Sequence, residues 1–357
     1  MYISSLTLNN FRNYESQRLE FSPLTNVIYG NNAQGKTNIL EAVYLFSQGK
    51  SHRAKTDKEL IKFDSPISKL AVDFHDKSRD YSATMQLNRA GKKLIKINHV
   101  QIKKLSMLMN YLNVVMFSPE DLELVKGSPS ARRKFIDSAI SQLSPAYLVN
   151  LIDYHKTLAQ KNGCLKSQRA DDVMLSVWNE QLSELGVKIM KARQEFIALL
   201  DEFASQIQSE ISSEKLKITY APSVRIDELT KEAYMEILEK HKRREIDFSS
   251  ALYGIQRDDI NISVNSKPVR IYGSQGQQRT VTLSMKMAQA QYIYHMKEEY
   301  PILLLDDIMS ELDINRRMYL SEKIKDKQVL ITSTDTDLKT GTEDTKLFKI
   351  QNGRVVG

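Results

Sequence analysis

The stretch that decides the fold is Gly30-Asn31-Asn32-Ala33-Gln34-Gly35-Lys36-Thr37. It has the pattern of a phosphate-binding loop, in which glycines let the backbone wrap so that amide N–H groups converge on a phosphate. A strand is predicted before it, over 26–29, and helical spacing over 36–48 predicts a helix after it. A glycine-rich turn that only caps a helix is the alternative, but a strand and a helix on either side favour a phosphate site.

Each residue type in this loop has a predicted role toward bound ATP. Lys36 is expected to reach the β- and γ-phosphate oxygens, and the Thr37 hydroxyl is expected to ligate Mg²⁺. The N-terminus of the helix adds partial positive charge. The residues predicted to hold the nucleotide are Gly30, Asn31, Asn32, Ala33, Gln34, Gly35, Lys36, Thr37 and Asn38.

A second segment ends in two carboxylates. The run Pro301-Ile302-Leu303-Leu304-Leu305-Asp306-Asp307 predicts a buried strand that delivers acids to its carboxyl end. Asp306 is predicted to hold Mg²⁺ together with Thr37, and Asp307 to orient or deprotonate the attacking water. Asp307 and Lys36 are therefore the predicted catalytic residues. Alone, such a run is often a strand end followed by a turn; the phosphate-binding loop in the same chain favours the site.

A third segment, Gly273-Ser274-Gln275-Gly276-Gln277-Gln278-Arg279, opens an amphipathic helix. By itself it could be no more than a helix N-cap. Together with the other two segments it looks like the signature segment of ABC-type ATPases, which closes over the γ-phosphate bound in the opposing subunit. In that resemblance Ser274, Gln275, Gly276 and Gln277 act in trans, on the nucleotide of a second copy.

Composition sets the broad class of the protein. The 357 residues carry 51 Lys plus Arg against 44 Asp plus Glu, a net charge of +7, and 41% are hydrophobic. These values are typical of a globular chain with a sizeable core, and they exclude disordered and fibrous proteins. No apolar run approaches the roughly 18 residues of a membrane span, so we expect a cytoplasmic protein without a membrane partner. Cys164 is the only cysteine, and the six histidines show no metal-ligand spacing.

Element patterns divide the chain into three stretches. Residues 1–118 alternate like half-buried strands, 119–297 are mostly long helices, and 298–357 return to strands and turns, with a two-residue hairpin turn expected at Asn352-Gly353. Helical spacing over 172–211 predicts an arm that extends on the order of 60 Å, with Gly186 as a possible kink. The prediction is an α/β ATPase lobe made from both chain ends, 1–118 and 298–357, and an inserted helical lobe, 119–297, that carries the signature segment.

The order of these segments is similar to that of the SMC and ABC class of ATPases, and further stretches resemble the RecF family of bacterial recombination and repair proteins. These stretches are Asn10-Phe11-Arg12-Asn13-Tyr14, Gly35-Lys36-Thr37-Asn38-Ile39-Leu40-Glu41-Ala42, Phe117-Ser118-Pro119-Glu120-Asp121-Leu122, Gly127-Ser128-Pro129-Ser130-Ala131-Arg132-Arg133-Lys134-Phe135-Ile136-Asp137 and Gln256-Arg257-Asp258-Asp259. The likeness covers nearly the whole chain. It implies an ABC/SMC-type ATPase head with a long inserted helical arm, ATP and Mg²⁺ as cofactors, and a homodimer that forms on ATP.

The resemblance also implies a function and partners. The function is ATP-dependent DNA binding in recombinational repair, replication restart and the SOS response, where the protein helps load recombinase at single-stranded gaps. The partners are DNA, RecO and RecR. Arg12 lies near the nucleotide loop in the arrangement of this family, where it could contact ATP or close a salt bridge.

Two departures from transporter-type ATPases predict slow hydrolysis. The segment Leu330-Ile331-Thr332-Ser333-Thr334-Asp335 offers only hydroxyls where those enzymes carry a histidine, and the second acid is Asp307 rather than a longer glutamate. The strand predicted over Val114 to Phe117 also has no obvious glutamine at its end, where transporter relatives carry one.

Basic runs are candidates for a DNA surface, because Lys and Arg release counterions from the phosphate backbone. Arg132, Arg133 and Lys134 are the first choice; the others are 103–104, Arg53 with Lys55, and 242–244. A solvated face is the usual alternative for any single run.

Two rival functions stay open. One is a transporter-associated ABC ATPase subunit, which the long helical insertion disfavours. The other is a scaffold with a degenerate nucleotide site, which the presence of Lys36 and Asp306 disfavours.

Overall fold

The computed structural model describes residues 1–167, 172–334 and 345–356. The chain divides into two compact units, one made of Met1–Asp121 with Thr282–Gly357 and the other of Leu122–Val281. The strands are β1 Tyr2–Phe11, β2 Tyr14–Glu20, β3 Thr25–Tyr29, β4 Ile67–His75, β5 Asp80–Asn88, β6 Lys93–Ile97, β7 Val100–Ile102, β8 Val114–Phe117, β9 Leu216–Ala221, β10 Asp259–Val264, β11 Lys267–Pro268, β12 Ile302–Leu305, β13 Val329–Ser333, β14 Thr345–Gln351 and β15 Arg354–Val355.

Helices occur in both units. They are α1 Lys36–Gln48, α2 Leu105–Leu108, α3 Glu123–Lys126, α4 Pro129–Ser141, α5 Pro145–Lys166, α6 Asp172–Ser212, α7 Lys231–Asp247, α8 Val269–Tyr272, α9 Gln275–Lys297, α10 Ile308–Glu311 and α11 Ile314–Ile324, with short 3₁₀ turns at Asp57–Leu60, Pro119–Leu122 and Ile255–Arg257. The division between the units falls within α9, which begins in one unit and ends in the other.

The first unit contains two sheets. An antiparallel sheet has the strand order β2-β1-β4-β5-β6-β7, and a second sheet, parallel except at its β15 edge, has the order β15-β14-β3-β13-β12-β8. Strands β8 and β12 are buried along their whole length, as continuous apolar runs predict for a parallel sheet covered on both faces. Strand β3, which leads into the phosphate-binding loop, lies between β13 and β14 from the far end of the chain.

Helix α1 has the bounds that its sequence pattern predicts. Gly35 before it has a φ of 111° and Gly49 after it a φ of 65°, left-handed conformations that glycine adopts without a steric penalty. Most of the helix is buried, including Ile39, Val43 and Phe46. The helix therefore starts where the loop ends and is fixed there by the core.

The second unit contains the arm. Helix α6 is continuous through Gly186. An added Cβ there would lie 2.7 Å from the Tyr234 ring, so this glycine permits the close approach of α7. A three-stranded antiparallel sheet of order β11-β10-β9 completes the unit.

Candidate nucleotide site

The carboxyl ends of β3, β12 and β13 meet at one edge of the parallel sheet. There the Thr37 hydroxyl donates to Asp306 Oδ1 at 2.8 Å, and the Thr332 hydroxyl donates to the same oxygen at 2.7 Å. The structure thus brings together the two residues that the sequence predicts as Mg²⁺ ligands. Burial raises the pKa of Asp306, and the hydrogen bonds from Thr332 and Thr37 offset this only in part.

The donor set fits magnesium. Hydroxyl and carboxylate oxygens are the hard ligands that Mg²⁺ takes from a protein, and the ion completes its shell with phosphate oxygens and water. In the part of the chain that the structure describes, no group of three or more His, Cys, Asp and Glu side chains could hold a metal by itself.

Asp307 follows directly, in the left-handed conformation with a φ of 51°. Its N–H donates to the Thr332 hydroxyl at 2.9 Å, so Thr332 contacts both acids. The Thr332 hydroxyl, one of those in the segment that lacks the transporter histidine, therefore organises the acidic turn. Asp335, in the same segment, lies outside the described residues.

Lys36 lies across its own loop. Its Nζ donates to the carbonyl oxygens of Gly30 at 2.7 Å and Asn31 at 3.1 Å, and its side chain is buried. The ammonium group is thus fixed inside the curve of the loop, where a phosphate would accept hydrogen bonds from it.

Two turns that sequence reasoning did not assign to the site hold the loop from outside. From the β1–β2 turn, Asn13 Nδ2 donates to the Gln34 carbonyl at 2.8 Å, and the Tyr14 hydroxyl donates to the Gly35 carbonyl at 3.0 Å. From the β14–β15 turn, the N–H of Gly353 donates to the same Gln34 carbonyl at 3.2 Å. The Asn-Tyr pair stands out in the sequence only as part of a block; nothing local marks its contact with the loop.

Arg12 forms a salt bridge. Its Nε and Nη2 donate to the two oxygens of Glu41 at 2.8 and 2.7 Å, and Nη1 donates to the Glu59 carbonyl at 2.9 Å. The hydrogen bond to Glu41 raises the pKa of Arg12; burial opposes ionisation of Glu41, but the bonds from Arg12 and Ser51 lower its pKa below the ordinary value. The salt bridge, which is one of the two roles predicted for Arg12, is thus present in the structure.

The predicted signature segment caps helix α9. Ser274 N–H donates to the Gln277 side-chain oxygen at 2.8 Å, and Gln277 N–H donates to the Ser274 hydroxyl oxygen at 3.2 Å, a reciprocal capping box. Ser274 is exposed, and a hydroxyl that accepts one bond keeps its proton for another acceptor. Just before it, Ile271 and Tyr272 are 71% and 67% exposed.

The structure corrects the predicted DNA surface. Arg132 is buried and pairs with both oxygens of Asp259 at 2.6 and 2.9 Å, so it serves the fold and is not available to phosphates. Arg133 is half-buried and donates to the Asp258 carbonyl at 2.8 Å, whereas Lys134 is exposed. Only Lys134 of the three remains a solvated cation.

Comparison with known proteins identifies the family. The chain matches the model of the RecF/RecN/SMC N terminal domain over residues 2–355. The DNA replication and repair protein RecF of Clostridium perfringens (strain 13 / Type A) is 41% identical over 359 residues, covering 99% of each chain. The chain belongs to the RecF family. The protein of the same name from Bacillus cereus (strain G9842) is 43% identical over 372 residues, covering 99% of this chain and 98% of that one.

Solved structures agree. A structure of the recombination mediator protein RecF-ATPrS in the RecFOR pathway gives a TM-score of 0.93 at 35% identity, and one of RecF-ATP gives 0.91 at the same identity; each match covers 99% of this chain and 97% of the other. An Smc head domain from Pyrococcus furiosus, with a TM-score of 0.58 at 15% identity, shows the fold alone. The predicted α/β fold, an ABC/SMC-type ATPase head with an inserted helical arm, is confirmed.

A membrane span was not expected. Within residues 1–167, 172–334 and 345–356, no helix combines the length and the apolarity needed to cross a bilayer.

Proposed function

We propose that this protein is an ATP-dependent DNA-binding protein of recombinational repair and replication restart, which dimerises on ATP, helps load recombinase at single-stranded gaps and hydrolyses ATP slowly when DNA stimulates it. The observation that carries the proposal is the meeting of Thr37, Lys36 and Asp306 at a phosphate-binding loop in a chain of the RecF family. Membership of that family replaces the transporter-associated alternative.

Each side chain at the site has a proposed task. The loop amides and Lys36 bind the β- and γ-phosphates, while Thr37 and Asp306 hold Mg²⁺, which neutralises charge on the phosphate oxygens. Asp307 orients the attacking water and takes its proton. Thr332 fixes the Asp307 backbone, but the short aspartate side chain reaches less far than a glutamate, and we therefore expect slow turnover.

A second copy of the chain would complete the site. Ser274 would donate to the γ-phosphate bound in the partner, with Gln275, Gly276 and Gln277 beside it, and the N-terminal dipole of the 23-residue helix α9 would face the same oxygens. The exposure of Ile271 and Tyr272 supports this, since apolar side chains grouped at a surface mark an interaction site. ADP lacks the γ-phosphate, so the dimer should dissociate after hydrolysis.

DNA would be bound through its phosphates. Arg132 is excluded from the candidate DNA surface because it is buried. The exposed cations that remain as candidates are Lys134, 103–104, Arg53 with Lys55, and Arg243 with Arg244. Binding by such groups is indifferent to base sequence and weakens steeply with salt. RecO and RecR as protein partners, the SOS response and a cytoplasmic location belong to the same proposal.

The first test is titration with a fluorescent ATP analogue in Mg²⁺. Lys36→Ala should bind at least about 10-fold more weakly than the unmodified protein, because it removes a charged donor to the phosphates. Lys77→Ala, at an exposed lysine in the β4–β5 turn, is the matched control and should bind normally. Equal affinity for Lys36→Ala and the unmodified protein would contradict the assigned site.

The second test is sedimentation with ATP and Mg²⁺, with and without duplex DNA. The unmodified protein should dimerise with ATP and not with ADP, and Ser274→Arg should bind ATP as a monomer but fail to pair. Ser209→Arg, at an exposed serine of the arm helix, should leave pairing intact. Full dimerisation of Ser274→Arg, or equal dimerisation in ADP and ATP, would contradict the composite site.

A further inference from the structure

We infer that the C-terminal hairpin turn, 352–353, is part of the nucleotide site and, together with the turn at 13–14, positions the phosphate-binding loop by holding the carbonyl oxygens of Gln34 and Gly35. The inference rests on the proposed binding of ATP at this loop, and it adds positioning residues from two other chain segments. All of these segments belong to one compact unit.

Gln34 is the point where both turns meet the loop. Its carbonyl accepts from Asn13 Nδ2 at 2.8 Å and from Gly353 N–H at 3.2 Å. Its side-chain Oε1 accepts from Asn352 N–H at 2.5 Å. Asn13 is itself held, because Asn38 Nδ2 donates to its Oδ1 at 2.8 Å. Three donors from two turns therefore fix this one residue.

Gly35 is held from the same side. The hydroxyl of the buried Tyr14 donates to its carbonyl at 3.0 Å. In a trans peptide the C=O and the following N–H point in opposite directions, and the described chain contains no cis peptide bond. Anchoring the carbonyls of Gln34 and Gly35 therefore aims the N–H groups of Gly35 and Lys36 away from the two turns. These N–H groups stand at the start of helix α1, where donors lack partners within the helix and an anion can accept from them.

The hairpin lies so close to the loop and to the β1–β2 turn that side chains are excluded at the contacts. A Cβ added to Gly353, whose φ is +70°, would lie 2.6 Å from the Asn13 carbonyl oxygen, and one added to Gly30 would lie 2.4 Å from that of Ile350. Strand β14 is in parallel register with β3, with Lys349 beside Tyr29, so the sheet itself sets this approach. The C-terminal hairpin is thus a fitted neighbour of the loop.

The loop needs such support. Gly30, Ala33 and Gly35 all have positive φ values, and for Ala33 the left-handed conformation is unfavourable unless its surroundings impose it. A loop that is already held in its binding conformation loses less conformational freedom when the ligand binds, and its affinity is higher for that reason. The two turns supply that constraint from outside the loop.

The test compares two glycines in hairpin turns. Gly353→Ala places a methyl group against Asn13, whereas Gly91→Ala, in the β5–β6 turn at a φ of +85°, meets nothing within 4 Å. Both substitutions carry backbone strain, and Gly353→Ala adds the clash with Asn13, so it should lower the unfolding temperature without nucleotide further than Gly91→Ala does. Only Gly353→Ala should weaken binding of fluorescent ADP and ATP analogues, by about tenfold, and lose most of the rise in unfolding temperature that nucleotide produces.

A second variant removes a single atom. Tyr14→Phe keeps the buried ring but loses the donor to Gly35, and we expect binding of both analogues to weaken by about 3- to 10-fold. This variant decides the question if Gly353→Ala does not fold. If Gly353→Ala and Tyr14→Phe bind the analogues as tightly as the unmodified protein does, this inference is wrong, but the proposed function is not affected. Failure of the unmodified protein to bind nucleotide would overturn the proposed function as well, and Lys36→Ala separates the two cases.

Discussion

Two regions of this molecule bury charge, and they do so in opposite ways. In the second unit, Arg193 is fully buried and donates to Asp137 at 2.9 Å, to Asp258 at 2.9 Å and to the Ile255 carbonyl at 2.8 Å. Burial would lower its pKa, but the negative groups around it raise the pKa well above the ordinary value. In this cluster the cation and the carboxylates are paired with one another within the chain.

The nucleotide site contains a carboxylate that is not paired with a cation among the described residues. Asp306 is buried and accepts from two hydroxyls, and among the described residues it has no ion pair. Its pKa is therefore raised, toward the neutral form, whereas that of Arg193 is raised toward the charged form. The comparison teaches that the second unit supplies a cation to its carboxylates from its own chain, whereas the nucleotide site holds a buried carboxylate to which the described residues bring only hydroxyl donors. The pair of Arg12 and Glu41 resembles the Arg193 cluster, because the pKa of Arg12 is raised and that of Glu41 is lowered, and both shifts favour the charged forms.

The largest expected effect is on the Arg193 cluster. Arg193→Met leaves the buried Asp258 and the half-buried Asp137 without their cation, and the second unit should lose about 3–5 kcal/mol of unfolding free energy. Trp178, the only tryptophan, lies on the same helix, so its fluorescence during urea unfolding reports the change. Lys188→Met removes an exposed i,i+4 pair from that helix and should cost less than about 1 kcal/mol. Equal losses in the two variants would break the comparison.

A smaller effect is expected at Glu41, whose pKa is lowered in the folded protein. A carboxyl of this kind stabilises the fold above its ordinary pKa, and the contribution is lost as pH falls through the lowered value. Glu41→Gln should therefore cost about 2 kcal/mol at pH 7, the scale of lost hydrogen bonds to a charged group, and progressively less below pH 4.5. Thermal unfolding between pH 3 and pH 7 measures the gap. If the difference in stability between the two proteins widened toward low pH, Glu41 would not stabilise the fold in its charged form, and it would resemble Asp306.

The smallest effect, and one of opposite sign, is expected for Asp306→Asn. A carboxyl whose pKa is raised on folding binds more protons in the folded than in the unfolded state, so stability falls as pH rises through its pKa. Asparagine removes that penalty, and the nucleotide-free variant should unfold at a slightly higher temperature at pH 7.5, while Mg²⁺-dependent nucleotide binding weakens. Thermal unfolding without ligand and titration with Mg²⁺ separate the two effects. A lower unfolding temperature for the variant would show that Asp306 serves the fold.

Local patterns predicted much of this architecture. The bounds of α1, the strands β8 and β12 and the arm helix depend on apolar spacing and on glycines within a few residues, and they lie where the sequence places them. What could not be predicted depends on partners far along the chain. Arg132 resembles a surface cation until Asp259, 127 residues later, is folded beside it. The contact of Asn352 with Gln34 likewise has no local signal.

The strand order has a consequence for how the protein is made. Strand β3 must wait for β13 and β14 before it has neighbours on both sides, and 318 residues separate Gln34 from Asn352. At about 5–20 residues per second, a ribosome needs roughly 15 to 60 s to cover that interval. During that time Leu122–Val281, which is continuous in the chain, can fold, but the phosphate-binding loop has neither its sheet nor its outer support. Translation that stops before the last hairpin would therefore release a chain whose phosphate-binding loop lacks β14 on one side and the outer support of the hairpin turn.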